Sequence, residues 1–179
     1  VAVLTRCVSG AILLFKKLML IGGLMSIFAK DPEAVAKFAT SLPVPEFGQP
    51  SLNISKPLHT SRVAIVTTAA LHQEGAGFEL GDSDFHFETL PRQAGNLKLG
   101  HHSVNFDRGG FAADINVVYP IDRLQELADS GILGKVANNH YSFAGNQSAS
   151  VSEIRLDSGP RCASEMRKEQ VDVVLLTGT

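Results

Sequence analysis

Arg62-Val-Ala-Ile-Val-Thr67 and, far downstream, Val171-Asp-Val-Val-Leu-Leu-Thr177 decide the fold. Both are short, branched, mainly apolar runs bounded by polar residues, without the alternation of a strand that faces water on one side. That pattern belongs to strands buried on both faces of a parallel sheet. The predicted class is therefore α/β, a single domain with a mainly parallel sheet flanked by helices, with both runs central and parallel. A core-type strand needs cover on both faces, commonly from a following crossover helix, and the sequence closes at Thr179. The sheet is thus expected to be incomplete at the carboxyl end.

Working outward from the first run, Thr67, Thr68 and His72 fall at or beyond its carboxyl end, where open α/β sheets place their ligands. Gly75, Gly77 and Gly81 follow in a G-x-G-x-x-x-G spacing that leads into Asp82-Ser83-Asp84 rather than a helix. A mobile loop is expected there, not a dinucleotide site. Residues 85–90 alternate apolar and polar, predicting a half-exposed strand with His86 as a surface histidine on its polar face. Leu97 and Leu99 then lead into residues 101–123, where two His, three Asp, two Arg and two Asn surround short apolar islands. That density suggests a polar site held by a scaffold; a loop whose charges cap and pair with one another is the alternative. Residues 115–119 are expected to form another buried segment. Pro120 opens a predicted helix over 121–130 with Leu124, Leu127 and Ala128 on one face, Asp122 at its positive amino end and Gly131 as its C-cap. Val136 and Ala137 suggest a short strand, residues 138–145 a polar turn, and residues 150–170 a weak helix broken near Gly159-Pro160.

A chain of 179 residues with 44% hydrophobic residues and a net charge of −2 can bury one sizeable core and has no electrostatic reason to seek nucleic acid. Its two cysteines, Cys7 and Cys162, lie in unrelated contexts, so neither a disulfide framework nor a cysteine zinc site is expected and a cytoplasmic setting is the default. Residues 1–24 read as an upstream apolar extension, with a cleaved or anchoring segment and a buried helix as alternatives. Lys16 and Lys17 leave an uncharged run over 18–29, shorter than the ~20 residues a spanning helix needs, so no membrane partner is expected. Residues 25–60 are expected to hold a short helix opened by Asp31-Pro32-Glu33 and an extended linker with prolines at 43, 45, 50 and 57.

Three blocks carry a family resemblance: residues 62–72 (strand, Thr-Thr, Ala-Ala-Leu-His), residues 102–134 (Ser-Val-Asn-Phe-Asp-Arg, Asp-Ile-Asn-Val-Val-Tyr-Pro-Ile-Asp-Arg-Leu and Gly-Ile-Leu-Gly) and residues 140–145 (His-Tyr-Ser-Phe-Ala-Gly). Together they resemble the selenoprotein B family of glycine, sarcosine, betaine and D-proline reductases, especially its shorter D-proline-reductase-like members. The resemblance covers most of residues 62–179 and leaves residues 1–45 outside. It implies that residues 61–179 are a reductase-subunit-like α/β domain, cut just before the selenocysteine or cysteine that follows the last strand in that family. The implied reaction is reductive cleavage of a C–N bond in a small amino or imino acid. A selenolate attacks the substrate carbon and displaces the amino group, and a neighbouring thiol resolves the product. No cofactor is implied within this chain. The implied partners are the amino or imino acid and either a subunit whose pyruvoyl group activates the amine or a second copy of the chain.

The same resemblance implies a pocket lined by Thr67, Thr68, His72, Asn105, Asp107, Arg108, Asp114, Asn116, Asp122, Arg123 and Tyr141. Arg108 or Arg123 would grip a substrate carboxylate bidentately. His102 and His140 are the catalytic candidates, either one holding a proton for the leaving amine. Plainer readings stand beside these: Asp122 as a helix cap, and Arg123 as the partner of Glu126 or Asp129.

Two other functions fit the residues. His101, His102, Asp107 and His140 could hold zinc or iron for a hydrolase, although adjacent histidines diverge in a strand and no H-x-x-x-H spacing exists, so no metal is assigned. A non-catalytic small-molecule-binding subunit could use the same pocket without chemistry.

Overall fold

In a computed structural model, which describes residues 32–41, 56–78, 84–100, 108–145 and 153–178, Arg62–Thr67 forms strand β1 and its alternate side chains enter two separate apolar layers. Ala64 and Val66 pack with Tyr141, Phe143, Ile154, Cys162 and Met166. Val63 and Ile65 pack on the opposite face with Leu90, Val118, Tyr119, Leu124 and Leu133. A continuous apolar run is what this double burial requires, and from Val63 to Thr67 every residue of β1 is buried.

The remaining elements are placed around that axis. Helix α1 is Pro32–Ser41, with Glu33 near its positive amino end. Downstream of β1 come the short strands β2 (Leu71–His72) and β4 (Lys98–Leu99), which pair antiparallel with each other, and β3 (Phe87–Pro91) between them in sequence. Helix α2 (Arg108–Ala113) and a 3₁₀ turn (Ile115–Val117) precede helix α3 (Ile121–Asp129). Strands β5 (Lys135–Val136) and β6 (Asn139–Phe143), a π turn (Ile154–Ser158) running without a break into helix α4 (Gly159–Lys168), and strand β7 (Val173–Thr177) complete the order. β1 pairs parallel with β5 and β6 at successive positions along one side and with β7 along the other, while β3 adds antiparallel outside β6. The sheet is thus mixed and mostly parallel. Residues of α4 cover one face and residues of α3 the other, as the α/β reading expects.

Four details depart from the sequence reading. Residues 138–145 hold β6 rather than a turn, because their polar side chains alternate with Tyr141 and Phe143, which enter the α4-side core. Of residues 115–119, expected to be buried, only Val118 and Tyr119 are, because 115–117 form a 3₁₀ turn with Val117 exposed, closed by the Asp114 carboxylate accepting from the Asn116 backbone N–H. Pro160 follows directly on the π turn, whose wider i→i+5 bonding, Gly159 N–H to the Ile154 carbonyl, accommodates the missing N–H, so the chain stays helical through Gly159-Pro160. Finally, β7 is parallel as expected but not central: among the described residues it pairs with β1 alone, and Leu175 and Leu176 are 37% and 39% exposed.

Candidate functional site

Register brings four strands to one polar row. Glu88 of β3 pairs with Ser142 of β6, Ser142 with Thr67 of β1, and Thr67 with Thr177 of β7. Directly paired residues project from the same face, so Glu88, Ser142, Thr67 and Thr177 stand side by side across the sheet. The row lies at the carboxyl ends of the three parallel strands. The row behind it, Leu90, His140, Ile65 and Leu175, is apolar apart from the histidine.

The connection between α2 and α3 closes over this row. Thr67 Oγ1 and Thr177 Oγ1 both donate to the Val118 carbonyl, at 2.9 and 2.8 Å, and Thr67 Oγ1 accepts from the Ala69 N–H at 3.2 Å. One backbone oxygen therefore ties together the ends of β1 and β7. The connection is held in turn by a side-chain network: Asn116 Nδ2 donates to Asp114 at 2.8 Å and to Asp122 at 2.9 Å, and Asn116 Oδ1 accepts from the Asp122 N–H at 3.1 Å. The Asn116 backbone and side-chain donors hold the Asp114 carboxyl below the usual carboxylate range.

His140 is fully buried, and its ring replaces a missing strand partner. Between the β5 and β6 pairings, the Ile65 N–H finds no ladder oxygen and donates to His140 Nδ1 at 2.9 Å. Nδ1 is therefore an acceptor, the proton sits on Nε2, and burial followed by the positive charge of Arg92 lowers the pKa to about 4. At neutral pH His140 is a neutral hydrogen-bond donor. Its Nε2, the Tyr119 hydroxyl and Ser142 Oγ are buried polar atoms without hydrogen-bond partners among the described residues, and the Tyr119 ring meets the His140 ring edge-on at 5.6 Å. Burial pushes the Tyr119 phenol further up, so it too stays protonated. Three uncharged donors thus lie unsatisfied among the described residues on one side of the sheet, an arrangement uncommon in a protein interior.

Beyond the row lies a second cluster. His86 Nδ1 meets Asp84, and its Nε2 lies 3.2 Å from Glu88 and 3.1 Å from the Gly77 carbonyl, with Phe78 stacked on the ring at 4.7 Å. His72 joins it, edge-on to Phe78 at 6.4 Å, and its ring lies 3.3 Å from where a Cβ of Gly77 would stand. Gly77 has φ 148°, so neither the space nor the backbone there admits a side chain.

Of the residues marked from sequence, Thr67 and His140 come together on the Val118 face, with Thr68 directly after Thr67 and His72 beside the second cluster. Asp114, Asn116 and Asp122 meet in the network that holds the covering connection. Arg123 points elsewhere, pairing with Glu126 at 2.9 Å on the exposed side of α3. Tyr141 faces the other way, buried against Phe87 at 5.6 Å in the α4-side core, and its phenol is pushed up chiefly by burial. His102, Asn105, Asp107 and the side chain of Arg108 lie outside the described residues. So do His101 and the rest of the proposed metal set apart from His140, and among the described residues no three His, Cys, Asp or Glu side chains are placed so that they could hold a metal ion. Sequence reasoning missed Ser142, Thr177, Glu88, Asp84 and Tyr119. The alternation over 85–90 did place His86 and Glu88 on one face; register alone carries that face to the strand ends.

The geometry defines an open α/β domain with its polar groups at the carboxyl ends of its parallel strands. The profile of the family described as Glycine/sarcosine/betaine reductase selenoprotein B matches residues 33–179, and the chain belongs to that family. It is 31% identical over 125 residues to the D-proline reductase subunit gamma of Acetoanaerobium sticklandii, covering 69% of this chain and 51% of that one. It is 26% identical over 148 residues to the glycine reductase complex component B subunit gamma of Carboxydothermus hydrogenoformans, covering 79% and 34%. With the beta subunit of betaine reductase complex component B of Peptoclostridium acidaminophilum the figures are 27% over 156 residues, 80% and 34%. The chain thus spans between a third and a half of the length of these relatives. No solved structure matches it. No helix among the described residues is long and apolar enough to cross a membrane.

Proposed function

We propose that this chain is part of a reductase subunit that takes part in reductive cleavage of a C–N bond in a small amino or imino acid, and that the row from Glu88 to Thr177 forms the floor of its substrate pocket. The observation that carries the reading is the Val118 carbonyl joining Thr67 to Thr177, because it ties the end of β7 to the residue before Tyr119 and to β1, the strand between β7 and Ser142. A residue entering directly after β7 would meet a substrate held by the three buried donors of Tyr119, His140 and Ser142. In the full-length form we place a selenocysteine or cysteine there, supplying the soft nucleophile that carries the reduction.

The chain's own residues bind and orient. His140 Nε2, Ser142 and Tyr119 offer hydrogen bonds to a substrate carboxylate, while Asp114, Asn116 and Asp122 hold the connection that presents Val118 and Tyr119. Arg108 remains the candidate for carboxylate binding by a guanidinium, with His102, Asn105 and Asp107 near it in sequence. A partner subunit carrying a pyruvoyl group, or a second copy of the chain, completes the assembly.

The test is to express the full-length reading frame together with its neighbouring subunits and to follow dithiol-dependent consumption of D-proline, glycine and betaine. Turnover of at least one is expected, with Ser142→Ala reducing kcat/KM by about tenfold or more, the scale of one lost hydrogen bond to a charged group. Saturable binding of an amino or imino acid with no turnover under dithiol would replace this reading with the non-catalytic binding role.

A further inference from the structure

At the opposite end of the sheet, Arg62, Arg92 and Lys135 line a cleft of about 300 Å³ together with Gln125, Ala128, Asp129, Gly134, Val136 and Asn138. Arg62 begins β1 and Lys135 begins β5, and the two are directly paired in the parallel ladder, so two cations project from one face of neighbouring strands. Like charges placed opposite one another in a sheet are destabilising. Arg92 follows the end of β3 and is drawn to the same place by its backbone N–H, which donates to the Asn138 carbonyl at 2.7 Å.

This concentration of charge is offset only in part by the chain's own carboxylates, Asp129 in the lining and Asp172 on the Arg62 backbone N–H at 2.8 Å. None of the three cations has a carboxylate within ion-pair distance among the described residues; the nearby Asp172 pairs with Lys56 at 2.8 Å. Asp129, the one acid lining the cleft, accepts from Gln125 Nε2 at 2.8 Å and keeps its charge, which leaves the three cations in excess. Arg62 donates one guanidinium N–H to the Glu169 carbonyl, which anchors the side chain while its other donors stay available. The cleft therefore combines two guanidinium forks, one ammonium and the amides of Gln125 and Asn138 in a volume at the small end of ligand pockets.

We propose that this cleft is a binding site for a small polyanion bearing phosphate groups, separate from the pocket at the strand carboxyl ends. An acidic segment of another protein would meet the same charges, but a concave site of this size favours a compact ligand over an extended surface. Inorganic pyrophosphate is the probe. Calorimetric titration of the full 179-residue chain at constant ionic strength is expected to give one site, and the double variant Arg92→Gln/Lys135→Gln to weaken it at least tenfold. Arg62 is left in place because it also anchors Glu169. A second measurement needs no variant: acetylation of Lys135, followed by mass spectrometry, should slow on addition of pyrophosphate and not on addition of sodium chloride at equal ionic strength. Absence of both heat and protection overturns the proposal. So does protection by chloride alone, by a poly-glutamate peptide where pyrophosphate gives none, or binding undiminished in the folded double variant.

Discussion

At His140 the imidazole completes a sheet, and burial then decides its charge. An unfolded chain protonates this histidine near pH 6.5, whereas the folded one resists protonation until about pH 4. Between those values the unfolded state binds the extra proton and the native state does not, so stability is present in full above pH 6.5 and falls as pH drops toward 4. At about 1.4 kcal/mol per pH unit the loss is roughly 3 kcal/mol across that window. Urea unfolding at about pH 7 and about pH 4.5 should show a drop of that order, and His140→Asn, which keeps an acceptor for the Ile65 N–H but does not titrate, should flatten it. A drop of equal size in the variant would assign the pH dependence to other groups. Tyr119 and Ser142 invite the opposite outcome: each buries a hydroxyl without a partner among the described residues, so Tyr119→Phe and Ser142→Ala should leave stability unchanged or raise it by about 1 kcal/mol while weakening the proposed substrate binding. Destabilisation by both variants would show that the hydroxyls are satisfied in the resting protein and are not waiting for a ligand.

Scale changes the meaning of Thr67 and Thr177, which act as one device only because β1 and β7 run side by side. Both donate to one carbonyl. Thr67→Val is expected to cost about 1–3 kcal/mol, since Thr67 is fully buried and also accepts from Ala69; Thr177→Val should cost less at its part-buried site. Each single variant leaves the Val118 oxygen one donor, and the double leaves it none, so the double should cost more than the sum. Strict additivity in a double-mutant cycle would mean that the two bonds do not share a constraint. Element by element, the sequence was most legible where one signal spoke alone: β1 by its apolar run, α3 by Pro120, Leu124, Ala128 and Gly131, although Leu127 of the expected stripe stands 38% exposed. It was least legible where polar side chains are satisfied within regular structure. Asn138, Asn139, His140 and Ser142 carry the composition of a turn, yet the first two N–H groups are taken by the Glu169 carboxylate and His140 substitutes for a ladder partner, so the segment can be a strand. Asp114 works the other way, turning an apolar run into a 3₁₀ turn through a local hydrogen bond.

For the molecule as a whole, the sequence correctly implied a parallel sheet with polar groups near its strand ends, but the run at 171–177 could not disclose its own neighbours. A strand's composition records how much it buries, not which strands flank it, and Leu175 and Leu176 look central while lying half-exposed on β7. The proposed reaction depends on the same kind of placement. Among the described residues the soft nucleophile available is Cys162, and it lies at 0% exposure in the α4-side core, where burial followed by the charge of Glu165 pushes its thiol up to about 12. At neutral pH it holds essentially no thiolate. Cys162 should therefore label with a thiol reagent only at the rate of unfolding, as peptide mapping of native and urea-treated protein can establish. Cys162→Ala should leave dithiol-dependent turnover of the full-length assembly within about twofold, since it removes a packing atom remote from the polar row, at a stability cost of about 1 kcal/mol. Rapid native labelling of Cys162, or loss of turnover in a Cys162→Ala protein that folds, would move the chemistry from the end of β7 to the other face of the sheet.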